Sequence, residues 1–177
     1  MRCFLSINIS PESLGNISKF MEEQQSDDFL EANFVKSNHL HLTMKFLGDI
    51  NTQKTQEIKR ILEQTKFKPF EISLKGLGGF PSNNYVKVLW IDVDNGNSEL
   101  VRIWRDIDDK LSKIGFQKDK EHIPHLTIAR VKFVRDKSKL YDLFDKNQDT
   151  TFGTFWCDKI NFMQSELTPN GPIYSEI

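Results

Sequence analysis

The tripeptide His-Leu-Thr occurs twice in this chain, at His41-Leu42-Thr43 and at His125-Leu126-Thr127, 84 positions apart. A repeated tripeptide constrains little by itself; the residues downstream of each copy constrain more. After each comes a helix-like stretch, then a strand-like one with an aromatic start: Phe70-Glu71-Ile72-Ser73-Leu74, and Phe155-Trp156-Cys157-Asp158-Lys159-Ile160. Phe155 lies 85 positions after Phe70, so the offset is almost kept, and a further strand comes next in both halves. Elements recurring in one order at one spacing point to two related lobes. The expected architecture is α+β: two pseudo-symmetric lobes around a central groove, each a small, mostly antiparallel sheet backed by helices. Residues 1–177 then form a single two-lobed domain.

The local patterns fit this plan. Cys3, Leu5, Ile7 and Ile9 alternate as in a strand with one buried face. Ser10-Pro11-Glu12 supplies a helix cap and a proline at the first helical position, and Leu14, Ile17, Phe20 and Met21 continue at helical spacing to about Gln25. Residues 39–47 alternate again, and a helix is expected near Thr52–Thr65. Strands near Phe70–Leu77 and Tyr85–Val93 flank a turn-rich Gly78–Asn84. Leu100, Ile103, Trp104, Ile107, Leu111 and Ile114 mark the clearest helix, stopped by Gly115. Strands are expected at His125–Val131, Thr151–Gln164 and Ile173–Ile177, with a short helix at Ser138–Lys146.

Composition limits the partners. The formal net charge is −1 and the pI about 6.4, which excludes the broad basic surface needed to track long nucleic acid. An RNA partner would be gripped at an end. No apolar run approaches the roughly 20 residues that cross a bilayer, and the start is too short and polar for a signal peptide, so no membrane is involved. Cys3 and Cys157 have no metal-type spacing, and a reducing cytoplasmic setting with no disulfide is expected. A monomer is the simplest state.

Alternation places His41 and Thr43 on one strand face, and His125 and Thr127 likewise, with Leu42, Met44, Leu126 and Ile128 buried behind them. Two imidazoles and two hydroxyls meeting across a groove suit a phosphate. Imidazole titrates near pH 6.5, so one copy can accept a proton while the other donates one. Cleavage of a cyclic phosphodiester needs both roles, and the hydroxyls can steady the non-bridging oxygens. No metal or other cofactor is required. His39 shares the parity of His41 but reads mainly as solvated, and His122 belongs to the loop before Pro124. On the first strand Phe4 is an aromatic among the polar Arg2, Ser6 and Asn8; it either stacks on a terminal base or makes an inter-lobe core contact.

In their wider contexts the motifs read Leu40-His41-Leu42-Thr43-Met44-Lys45-Phe46-Leu47-Gly48 and Pro124-His125-Leu126-Thr127-Ile128-Ala129-Arg130. With Arg2–Ile7, Gly79-Phe80-Pro81-Ser82, Val88-Leu89-Trp90, Ser165-Glu166-Leu167 and Gly171-Pro172-Ile173-Tyr174, they resemble the 2H phosphoesterase superfamily over nearly the whole chain. The branch resembled is the RNA 2′,3′-cyclic phosphodiesterases, also called 2′-5′ RNA ligases. The resemblance implies His41 as proton donor to the leaving oxygen and His125 as proton acceptor from water. It further implies a 2′-phosphomonoester product, with Thr43, Thr127 and Arg130 on the phosphate. By strict alternation Arg130 faces away from His125, so it reaches the phosphate only if the strand twists, bulges or bends after Thr127; otherwise it is an outer-edge salt-bridge residue.

Three other readings stay open. The same residues serve a different substrate, such as a cyclic phosphate of ADP-ribose or a 2′-5′ oligonucleotide. Reverse ligation to a 2′-5′ bond can share the site. A non-catalytic RNA-end binding module would need neither histidine to exchange protons. A zinc site is disfavoured, because two histidines lack the further ligands zinc takes.

Overall fold

The computed structural model covers residues 1–177. The chain opens with β1 (Arg2–Ile7) and α1 (Pro11–Ser26), where the Ser10 hydroxyl accepts from the Ser13 N–H at 3.2 Å and Pro11 occupies the first turn. β2 (Leu30–Phe34), a 3-10 turn (Ser37–His39) and β3 (Leu42–Asp49) come after it. Next is α2 (Thr52–Gln64), capped by Asn51, whose side-chain oxygen accepts from the Lys54 N–H at 2.9 Å. The second half runs β4 (Phe70–Ser82), β5 (Tyr85–Val93), α3 (Asn97–Ser112), β6 (His125–Val134) and α4 (Lys137–Lys146). It closes with β7 (Thr151–Cys157), β8 (Asn161–Thr168) and β9 (Gly171–Glu176). No helix is long and apolar enough to cross a membrane.

The fold is α+β with two antiparallel sheets, ordered β3-β1-β8-β9 and β2-β6-β5-β4-β7. The two histidine strands occupy matching places, β3 beside β1 and β6 beside β5. The pairing carries the repeat further. Phe4 faces Phe46 and Leu5 faces Lys45; 84 positions on, Val88 faces Arg130 and Leu89 faces Ala129. Where β4 meets β7, Phe70 pairs with Cys157, Glu71 with Trp156 and Ile72 with Phe155. A shift of 85 residues exchanges the outer two pairs and returns the middle one to itself, as an approximate twofold axis through the Glu71–Trp156 pair requires. One apolar cluster, including Leu5, Ile58, Leu89, Ile107, Leu126 and Phe144, runs through both sheets and all four helices.

Three elements differ from the sequence reading. β2 is an added edge strand on β6, unannounced because Glu31, Ala32 and Asn33 are poor strand formers. β4 runs through the glycines to Ser82, leaving Asn83-Asn84 as the turn, because Gly78 and Gly79 lie beneath Trp90 and Val86, where no side chain fits. The single strand expected over 151–164 is two, β7 and β8, which belong to different sheets. Cys3 and Cys157 are both buried and free.

Candidate active site

Each motif histidine sits at the mouth of its strand: His41 just before β3, His125 as the first residue of β6. Both are half-buried, and so are Thr43 and Thr127, while Leu42 and Leu126 point into the core. His125 is held by the main chain two residues earlier, its Nδ1 2.7 Å from the Ile123 carbonyl oxygen; the main chain of His39, likewise two residues before His41, acts to raise the pKa of that ring. A neutral ring that donates Nδ1–H to a carbonyl presents Nε2 as its free nitrogen.

Aromatic rings wall both. Phe4 stacks on His41 with centroids 4.9 Å apart and planes at 24°, and Tyr174 of β9 meets the same ring edge-on at 5.5 Å. Phe80 meets His125 edge-on at 4.9 Å, with Trp90 at 5.8 Å. Burial therefore pushes the pKa of both histidines below the ordinary 6.5, opposed in each by the main-chain hydrogen bond. Asp92, opposite His125 across β5–β6, pulls His125 back up; the charge of His39 pushes His41 further down.

Register shifts decide which residues join these faces. Along β3, Lys45 pairs with Leu5 but Thr43 with Ser6, so Met44 is passed over; along β6, Ala129 pairs with Leu89 but Thr127 with Trp90, so Ile128 is passed over. The two shifts fall at equivalent places in the repeat, and each leaves two successive buried residues: Met44-Lys45 and Ile128-Ala129. Beyond them the alternation is inverted. Arg130 returns to the face of His125 and Thr127, and its charge acts on the Tyr174 hydroxyl of the other sheet. Phe46, the equivalent of Arg130, stands 73% exposed beside Phe4. β3 packs against β6, so the two motif strands meet across the groove between the sheets.

Two expectations change. Phe4 lies on the polar face, as alternation expects, but is only 3% exposed, packed between His41, Tyr174 and Phe46. Its partners all belong to its own sheet, so it makes a contact within one lobe rather than between the two, and its ring is not free to receive a base. His39 is half-buried with its ring 4.8 Å from Tyr174, so it is no solvated bystander.

The fold also assembles an acidic cluster that the sequence does not announce. Asp108, Asp119 and His122 bring ligand-type atoms within 4.8 Å of one another. The cation position among the carboxylates belongs to Lys45, whose Nζ lies 2.6 Å from Asp108 and 3.0 Å from Asp119. Sequence reasoning likewise assigns no role to Asp92, Phe80, Trp90 or Tyr174. Asp92 is within its reach, since Val88, Trp90 and Asp92 share one face of a regular strand. Tyr174 carries no comparable pattern signal.

Comparison with known proteins agrees with this arrangement. The family model for the AKAP7 2′5′ RNA ligase-like domain matches residues 3–176. Among curated proteins, the RNA 2′,3′-cyclic phosphodiesterase of Methanocaldococcus jannaschii is 43% identical over all of this chain and 98% of its own length. That of Methanothermobacter thermautotrophicus is 33% identical over 100% of this chain and 96% of its own. Among solved structures, a Thermus thermophilus protein superposes with a TM-score of 0.80 at 20% identity, covering 100% of this chain and 95% of that one. E. coli LigT complexed with 3′-AMP superposes at 0.78 and 16% identity, covering 99% and 94%. The chain belongs to the family of AKAP7 2′5′ RNA ligase-like domains, and its fold is that of LigT.

Proposed function

We propose that this protein hydrolyses RNA 2′,3′-cyclic phosphate ends to 2′-phosphomonoesters without a metal. The observation that carries the reading is the matched pair of half-buried imidazoles, each walled by aromatic rings and each followed by a threonine on the same face. The relatives named RNA 2′,3′-cyclic phosphodiesterase, up to 43% identical over the whole chain, support the substrate class. In the reaction His125 takes a proton from water, whose oxygen attacks phosphorus. The bond from phosphorus to the 3′ oxygen breaks, and His41 gives its proton to that oxygen. Thr43, Thr127 and Arg130 hold the non-bridging oxygens, and Phe4 acts by backing the His41 ring. With a 5′-hydroxyl in place of water, the same steps join RNA ends through a 2′-5′ bond. The acting unit is a cytoplasmic monomer.

Incubation with a short RNA ending in a 2′,3′-cyclic phosphate, in excess EDTA, should yield RNA with a 2′-phosphate and a free 3′-hydroxyl. A 3′-phosphate product, or turnover lost in EDTA and restored by zinc or magnesium, overturns the scheme.

The pH dependence comes from the shifted histidines. In the free enzyme His41 must be charged and His125 neutral, and both titrate below 6.5, so kcat/KM should peak on the acid side of that value. A bound phosphate anion favours charged His41 and raises its pKa. The alkaline limb of kcat should therefore lie at higher pH than that of kcat/KM. Profiles that are flat, or limbs in the reverse order, contradict these assignments.

A further inference from the structure

Lys45 is 4% exposed and Asp108 2%, yet both carry charge. The Lys45 ammonium meets three oxygens: Asp108 Oδ1 at 2.6 Å, Asp119 Oδ1 at 3.0 Å and the Gln117 carbonyl at 2.9 Å. Asp108 Oδ2 accepts the Asp119 N–H at 2.9 Å and lies 3.1 Å from His122 Nε2. Trp104 Nε1–H donates to Asp119 Oδ2 at 3.0 Å, and the same indole meets His122 edge-on at 5.3 Å. Gln117, Asp119 and His122 all lie on the segment joining α3 to His125, as does Ile123.

That segment has one evident duty. Its Ile123 carbonyl holds His125 Nδ1, and His122, one residue earlier, is anchored on Asp108. Lys45 comes from the other lobe, two residues beyond Thr43 on β3, turned inward by the register shift at Met44. Its equivalent in the second lobe is Ala129, fully buried and uncharged, so the arrangement is not a by-product of the duplication. A buried ion pair is a poor source of stability, since desolvation offsets most of the attraction; its best-attested use is to fix one geometry.

We propose that Lys45, Asp108 and His122 are positioning residues: a clamp, anchored on the His41 strand, that fixes the 117–124 segment and so holds His125 as the Nδ1–H tautomer with Nε2 toward the phosphate. The clamp rests on the proposed role of His125, but its test does not need turnover. Ring nitrogen NMR of the full chain reads the tautomer directly. Wild-type neutral His125 should be Nδ1–H. In Lys45→Met the Nε2–H form should appear at His125 while His41 is unchanged, and kcat should fall about a hundredfold with KM little altered, as for a misplaced catalytic group.

Lys45→Met leaves the Asp108 carboxylate buried without its ammonium partner and threatens folding. Lys45→Met/Asp108→Leu removes both charges and should fold, with His125 still in mixed tautomers and kcat still low. His122→Ala, which spares the buried pair, should show the same tautomer change in smaller measure. A folded double variant with wild-type His125 tautomer and kcat overturns the clamp. Absent turnover in wild type, with the tautomer change intact, instead overturns the proposed reaction.

Discussion

Alanine at His41 or at His125 should remove most of the turnover and leave the fold standing. A positioned proton donor or acceptor contributes about a hundred- to ten-thousandfold, or roughly 2.7 to 5.4 kcal/mol of barrier. The two act in one displacement, so the double variant should be little slower than either single one. Thr43→Ala and Thr127→Ala each delete one hydrogen bond to a charged group, worth about 1.5–3 kcal/mol, and should cost roughly ten- to hundredfold. Folding is spared because both rings are half-buried at strand mouths, while Leu42 and Leu126 carry the burial there. The fold holds both imidazoles below their ordinary pKa, so the unfolded chain binds more protons just below pH 6.5. Wild type therefore loses stability as pH falls through that range, a loss each single alanine variant shares only through its remaining histidine. Their melting temperatures should lie slightly below wild type at neutral pH and approach it on acidification. A folded single variant with full activity, or a double variant far slower than both singles, removes the histidines from the reaction.

The duplicated motif is legible in the sequence because a two-residue period and an 84-residue spacing are both properties of order along the chain. Helices are legible for a similar reason: α1 announces itself by the Ser10 cap, Pro11 and its apolar spacing, and α3 by its apolar spacing and the stop at Gly115. Alternation alone does not show where it is interrupted. On a regular strand Lys45 shares the face of His41 and Thr43, and Phe46 lies buried with Leu42 and Met44. The shift at Met44 reverses both, burying the lysine and exposing the phenylalanine. The matching shift at Ile128 returns Arg130 to the strand face of His125 and Thr127. Neither shift leaves a mark in residue type; each arises from how β3 and β6 pair with β1 and β5. The aromatic walls fail to show for another reason. Tyr174 reaches His41 only because β8 returns to the first sheet and carries β9 with it, a long-range pairing with no local signal.

Asp108→Ala should be among the most destabilising single changes in the chain. The carboxylate is 2% exposed and the Lys45 side chain 3%, so the variant strands an ammonium in the interior with only Asp119 and a main-chain oxygen left to meet it. Breaking a buried pair from one side costs about 3–5 kcal/mol, because the remaining charge keeps its desolvation penalty without its partner. For a domain this size that corresponds to a melting temperature lower by about 6 to 20 °C. The loss should depend on pH. Burial raises the Asp108 pKa, but the Lys45 ammonium, the Asp119 N–H and His122 outweigh it and hold the carboxyl below its usual range. Its contribution is therefore present above the unfolded carboxylate value of about 3.9 and is lost as pH falls toward the folded one. Wild type and Asp108→Ala should converge in stability below about pH 4, by the same linkage. Thermal unfolding across that range checks both statements, and a variant within about 2 °C of wild type at neutral pH would show that the pair is not held as buried charge.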